Sequence, residues 1–409
     1  MTLPAGLRAL AHANFRLYFA GQAISILGSW IQQVALAWLV YRLTGSAALL
    51  GITAFCGLIP QLVVGPFAGA FIDRQDKKRG LILVQSLMAL QAFVLAGLTW
   101  LDWINTPFIV VMALLLGVLS SFDAPLRQSL IGTFVGHRDD LPNALALNAM
   151  LFNAGRFVGP PIAGLLLGLT SEAACFALNG FSFLALIWAI LRGRSAPPPR
   201  AKGSVGEVFR EGLAYAWQDW SVRTLILTLM ALNLTASAYA VLLPIFAADV
   251  FHGDATTLGW LWGAAGCGAF ASTILLATRK ALPDVVAAVV AGTGIAALSL
   301  LAFAATDWMA LALCGMVGVG FGISVTNVGI NMLLQSAAPD ALRGRIVSFF
   351  TATRFGFDAL GGLLAGFLAS LAGAGPTLIG EGVVLLGFVV FLMARRERLI
   401  AGVARSKEA

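Results

Sequence analysis

The sequence predicts an all-α membrane protein of twelve transmembrane helices arranged as two pseudo-symmetric six-helix bundles, and three observations carry that reading. First, 59% of the 409 residues are hydrophobic and 11% are charged, against about 25% charged in ordinary soluble domains. Twelve spans of about 20 residues need roughly 240 apolar positions, which this composition supplies. Second, apolar runs of spanning length recur along the whole chain between charged or Pro/Gly punctuation. Third, one long polar connection at 192–222 divides them into two equal sets. The same composition excludes disordered, collagen-like and disulfide-stapled chains. Cys56, Cys175, Cys267 and Cys314 fall in or beside apolar runs without paired spacing, so packed or lipid-facing thiols are expected and no metal or cofactor.

The spans lie near 15–41, 47–72, 81–101, 107–130, 142–169 and 173–191, then 223–248, 256–278, 285–305, 308–335, 346–371 and 376–394. The opening stretch, MTLPAGLRALAHANFR, is too polar for a signal peptide, so the first span is expected to stay in the mature chain. Basic residues set orientation, because basic loops are retained on the cytoplasmic side. Arg8, Arg16, Arg74, Lys77, Lys78, Arg79, Arg127, Arg138, Arg279, Lys280, Arg343 and Arg345 fall on one face, with the basic linker and the tail; only Arg42 falls on the other. Acids dominate that other face: Asp102, Glu172, Asp249, Asp254 and Asp307. Both termini are therefore expected in the cytoplasm.

The division predicts an amino-terminal bundle over 1–191, a cytoplasmic linker over 192–222 and a carboxy-terminal bundle with tail over 223–409. The linker begins RGRSAPPPRAKGSVGE, a Pro-rich basic stretch. After it Val205, Phe209, Leu213, Trp217 and Trp220 recur at helical spacing among charges, the pattern of a helix lying on a membrane surface. RFVGPPIAGLLLG from Arg156 in the fifth span aligns without gaps to RFGFDALGGLLAG from Arg354 in the eleventh, an offset of 198. Equivalent spans of two halves sharing a motif indicate duplication. Two homologous bundles around a cleft form a transporter architecture, with the substrate site near the midplane between them.

Between the second and third spans the chain reads GAFIDRQDKKRG from Gly69, with Asp73 and Arg74 followed by Lys77 and Lys78. This resembles the cytoplasmic signature of the major facilitator superfamily, although Asp76 stands where that pattern has glycine. The segments 14–47, FDAPLRQSLIG (122–132), 140–164 and ALRGRIVSF (341–349) resemble one branch of the superfamily, the proton-driven exporters that include the enterobactin exporter and macrolide efflux proteins. The resemblance implies the major facilitator fold, a bacterial inner-membrane location and export of a siderophore or drug-like molecule. It also likens Gly155, Gly159, Pro160 and Gly164 of the fifth span to the glycine-proline motif of antiporters, with Ala146 and Ala163 replacing two of its glycines. Small residues there let helices approach closely, so plain packing is an open alternative.

Physically, Asp73 is placed to accept charge-assisted hydrogen bonds at the cytoplasmic surface in one transport state and lose them in another. Gly69 permits close approach, and Arg74, Lys77 and Lys78 also suit anionic lipid. Charges inside spans cost at least about 2.5–3.5 kcal/mol near the centre unless paired or hydrated, so they mark function. Asp123 in the fourth span and Arg156 in the fifth are expected to meet; Arg354 and Asp358, four apart on the eleventh, share a face. Asp123 or Asp358 is then the candidate proton carrier, against two static ion pairs as the alternative. Arg127 is expected at the headgroup level and Glu381 at the outer mouth.

Polar and aromatic residues near the midplane give cavity candidates: Trp30, Gln32, Gln33, Asn153, Asn233, Tyr239, Asn327 and Asn331, with Trp38 and Phe246 as further aromatic surface. As a set they predict a polar-aromatic cavity without a strong fixed charge. HRDD at His137 and the glycines of GVGFG (Gly318, Gly320, Gly322) copy fragments of nucleotide-site motifs, but no phosphate loop or preceding strand accompanies them. No Walker-type motif occurs, and His12, His137 and His252 all lie outside the spans, so neither an ATP-driven pump nor a membrane-embedded enzyme is expected. The reading is a proton-coupled exporter of a small amphiphile, working as a monomer with protons and membrane lipids as its other partners and no nucleic acid. An uncoupled facilitator or lipid flippase of the same fold is the alternative, with a non-transporting sensor behind it.

Overall fold

A computed structural model describes residues 5–65, 68, 72, 76–135, 138–193, 219–277, 281–337 and 343–408. Among these, every regular element is helical, as lipid requires of backbone groups that cannot reach water. The amino-terminal half runs α1 (Ala13–Thr44), α2 (Ala47–Val63), α3 (Lys77–Trp100), α4 (Thr106–Phe134), α5 (Leu141–Leu169) and α6 (Glu172–Arg192). The carboxy-terminal half runs α7 (Trp220–Val250), α8 (Ala255–Ala277), α9 (Leu282–Ala304), α10 (Met309–Ala337), α11 (Arg343–Ala372) and α12 (Ala374–Ala394). Eleven of these are long and apolar enough to cross a membrane; α2 is shorter within the described residues. The surface helix expected around 205–220 falls on residues that, before 219, lie outside the described set, as do Gly69, Asp73 and Arg74.

Local chemistry sets the helix ends. Ser46, Asn105 and Ser171 each accept a hydrogen bond from a first-turn amide of α2, α4 and α6, satisfying donors that a helix leaves free. Asp76 does the same for α3, accepting from the amides of Lys78 and Arg79 at 3.0 and 3.2 Å, which gives the acid a reason to stand where the superfamily pattern has glycine. Lys78 reaches from this turn to the carbonyl of Gly193 at 2.8 Å. Asp140, part of the HRDD string, receives His12 at 2.9 Å and ties the amino terminus to the start of α5. Trp100, Trp103 and Trp308 stand exposed at the opposite ends of the spans, where indole rings favour the lipid-water interface.

Helix α7 is not continuous. It is α-helical over Trp220–Leu234, tightens to 3-10 geometry at Ala236–Ala238, resumes over Tyr239–Ile245 and widens to π geometry at Phe246–Val250. Helix α10 runs between α8 and α9, and GVGFG makes this possible. A Cβ on Gly320 would press on the Ala265 backbone of α8, and one on Gly322 on the Gly292 and Ala296 backbone of α9. The glycines are packing devices.

Beyond α12 the tail forms α13 (Arg396–Glu408), which the sequence reading left as plain tail. It seats Leu399 and Val403 in the apolar core at the foot of the carboxy-terminal half, and Arg398 lies 4.5 Å from the Trp220 ring centroid.

The buried apolar residues divide unequally. On the side bearing the connections 45–46, 101–105 and 251–254, one core joins both halves, with Val34, Leu39 and Phe176 packed in continuity with Leu242, Phe246, Leu258 and Ala369. On the side bearing the termini each half keeps its own core, around Phe15, Leu81, Leu130 and Phe183 in one and Val222, Val286 and Leu333 in the other. The halves meet chiefly along α2 against α11 and α5 against α8. Each crossing puts glycine on glycine: Gly51 against Gly366, and Gly164 against Gly259.

Candidate functional site

Between the halves, behind the joined core, lies a cavity of about 680 Å³. Trp30, Gln32 and Gln33 of α1, Asn153, Arg156 and Pro160 of α5, Tyr239 of α7, Trp262 of α8, and Arg354 and Asp358 of α11 contribute to its wall. The wall therefore draws on both halves, as expected for a transporter site at the bundle interface.

The glycines of α5 explain how α1 comes to line it. Added Cβ atoms on Gly155 and Gly159 would run into Ile26 and into Trp30, whose Cβ lies 2.6 Å from the latter position. Their absence lets α1 lie flush on α5 and turns the Trp30 indole toward Trp262, edge to face at 5.9 Å between centroids. On the same helix Gly164 faces α8, so this motif packs one helix against both halves.

Gln32 is fully buried and spoken for. Its amide donates to Gln91 at 3.2 Å and its carbonyl accepts from Asn179 at 2.7 Å, fixing α1 to α3 and α6. Gln33, by contrast, is exposed to the cavity. Asn233, Asn327 and Asn331 do not line it. Asn233 donates to Asn327 at 3.2 Å and Asn331 accepts from Gln335 at 3.0 Å, which makes them links within the carboxy-terminal half. Phe246 is buried in the joined core and Trp38 packs against that core.

The charges are arranged differently from the sequence expectation. Asp123 does not pair with Arg156: it accepts from Gln85 at 2.5 Å and from Arg127 Nε at 2.6 Å, a pair on one helix, four residues apart. Arg127 is buried within this pair, and its Nη2 donates to Ser25 at 2.9 Å. Arg156 instead faces across the cavity. Its guanidinium lies beside the Tyr239 hydroxyl and in the field of Arg354 and Asp358 of the other half. Asp358 neighbours Ser237 and both arginines but forms an ion pair with neither, whereas the Arg354 guanidinium lies 5.5 Å from the Phe355 centroid. The cavity thus carries two cations and one anion where a wall without fixed charge was expected. Glu381 of α12 is buried, and neither carboxylate oxygen has a hydrogen-bond partner.

At the far side of the joined core the Tyr41 hydroxyl of α1 donates to Asp249 of α7 at 2.5 Å, a polar latch between the halves. Arg42 and Glu172 pair beside it at 2.6 Å within the amino-terminal half. Sequence reasoning missed Trp262 and this latch; the only trace of the latch was a tyrosine and an aspartate at the ends of spans expected on the same face.

Two bundles, interhelical glycine crossings and a shared cavity carrying buried charge define a secondary transporter of the major facilitator fold. Residues 5–406 match the family model described as transmembrane secretion effector, and the chain belongs to that family. It is 29% identical over 390 residues, 90% of this chain and 93% of the other, to the multidrug efflux pump Tap of Mycolicibacterium fortuitum. It is 24% identical to the staphyloferrin A transporter of Staphylococcus aureus, covering 94% of this chain and 97% of that one. The fold superposes with a TM-score of 0.70 on a bacterial homologue of the human lysosomal transporter Spinster, at 13% identity over 99% of this chain and 98% of that one. Family and relatives are transporters, not enzymes.

Proposed function

We propose that the chain exports a small amphiphilic molecule, siderophore-like or drug-like, across the bacterial inner membrane in exchange for protons, by alternating access. The observation that carries this is Asp358. It is an acid in the shared cavity that faces an arginine from each half without pairing with either, so relative motion of the halves changes its surroundings and its proton affinity. Asp123, held by two hydrogen bonds inside one half, is the structural member. The excess of basic residues on the terminus side supports a cytoplasmic placement of both termini, and on that placement the separate cores on that side support an inward-facing reading. One proton crossing 100 mV is worth about 2.3 kcal/mol, enough for a gradient of tens of fold. The names carried by the relatives, a multidrug pump and a siderophore transporter, support export of such molecules. Gly69, Asp73, Arg74, Lys77 and Lys78 belong to this reading as the cytoplasmic gate, and the linker at 192–222 as the tether between domains 1–191 and 223–409.

The test is deletion of the gene in its host, comparing small molecules in cells and medium with iron replete and iron starved. A compound that builds up inside and disappears outside identifies the cargo. Complementation with D123N and D358N, with and without a protonophore, then tests coupling. Export that survives both D358N and the protonophore removes proton exchange and leaves the uncoupled facilitator.

A further inference from the structure

The chemistry of the cavity wall narrows the cargo further. Arg156, Arg354 and Asp358 are the charged residues among its lining, which leaves an excess of positive charge. Two buried donors in that wall have no acceptor: Arg354 Nε and Trp262 Nε1. A buried donor left unmet is costly, more so when charged, and both belong to side chains that line the cavity. Beside them Trp30 and Trp262 supply an apolar, aromatic face.

We infer that the cargo is an amphiphile bearing a carboxylate. Its acid oxygens bridge Arg156 of one half and Arg354 of the other, and its apolar body lies on the Trp30 and Trp262 rings. The inference rests on the exporter reading for its setting and on the wall for its chemistry. A carboxylate accepts from guanidinium groups in geometries a neutral carbonyl matches less well, and it supplies the negative charge the wall lacks. It also joins the two halves through one bound group, so cargo binding and approach of the halves become the same event. Asp358 contends with the cargo for the same two guanidinium groups, and this gives the site an unusual signature: neutralising Asp358 leaves two cations unopposed and strengthens acid binding, whereas a merely structural loss weakens it.

The test uses purified full-length protein and three matched probes: 2-naphthoate, its methyl ester and 2-naphthylmethylammonium, titrated by calorimetry. Naphthoate is expected to bind at least about tenfold more tightly than the other two. Arg354→Gln should erase the preference, Arg354→Lys should restore part of it, and Asp358→Asn should tighten naphthoate several-fold. Equal binding of the ester, tighter binding of the ammonium, absence of naphthoate binding, or weaker naphthoate binding in D358N overturns the assignment. Acid preference with no export in cells would strike the exporter reading instead and leave this one standing.

Discussion

Replacing Gly164 with alanine tests whether the glycine crossings hold the present conformation. The added Cβ would stand 2.7 Å from the Ala255 carbonyl oxygen and 2.9 Å from the Gly259 Cα. Both are backbone atoms that cannot rotate away, so α5 and α8 must part by about 0.7 Å to restore ordinary contact. Overpacking of this kind costs about 1–3 kcal/mol. The cost falls on the state in which this crossing is closed and is relieved when the halves separate there, so the population should shift about 5- to 150-fold toward that other state. Spin labels on Asp102 and Asp307, exposed on the connecting loops of the two halves, read the separation directly once the native cysteines are replaced. A longer distance population is expected in G164A. Gly387→Ala, whose Cβ would meet nothing within 4 Å, serves as the control and should leave the distances unchanged. A folded G164A protein with the parent's distance distribution would refute the reasoning and reduce the crossing to static packing.

Other outcomes follow from the same structure. Tyr41→Phe removes the hydroxyl that joins α1 to Asp249; at about 1 kcal/mol for such a bond, the same labels should show a shift of about fivefold toward separation, and no change would mean the latch is idle. Asp123→Asn takes the counter-charge from buried Arg127, and loss of one partner of a buried pair costs about 3–5 kcal/mol, so Tm should fall well below that of D358N. Gln32→Leu leaves Gln91 and Asn179 without a shared partner and should lower stability by about 1–3 kcal/mol per orphaned group, read by thermal unfolding in detergent.

Much of the fold was legible because lipid imposes a simple code. Apolar length and Pro/Gly punctuation mark where one helix ends and the next begins. Arg156, Arg354 and Asp358 stood out as candidates for a related reason: a charge in a span is too costly to be incidental. Their partners were not legible. Asp123 and Arg156 sit on consecutive spans, but the face of α5 that carries Arg156 looks across the cleft to α7 and α11, and nothing local in the sequence encodes which face that is. The absence of fixed charge expected of the cavity failed the same way, since residues read one span at a time do not reveal that cations from α5 and α11 share one wall. The 3-10 break in α7 has no Gly or Pro at Ala236–Ala238 to announce it, whereas Pro244 stands just before the π turn. Helix α13 did leave a sign, in Leu399 and Val403 at helical spacing among arginines, and could have been read.

The continuous core on one side and the divided core on the other have a consequence for how such a molecule can be stable at all. Apolar surface joined across the halves is worth about 25 cal/mol for each Å² withheld from water, and a transporter that gained this without an equal gain in its opposite state would stop there. The two ends must therefore be matched in strength, like opposing springs, and natural variation that thickens one seal should be accompanied by change in the other. Stability in this protein is thus constrained as a difference between two faces, and a mutation that raises the melting temperature through the joined core is expected to slow turnover by deepening one well.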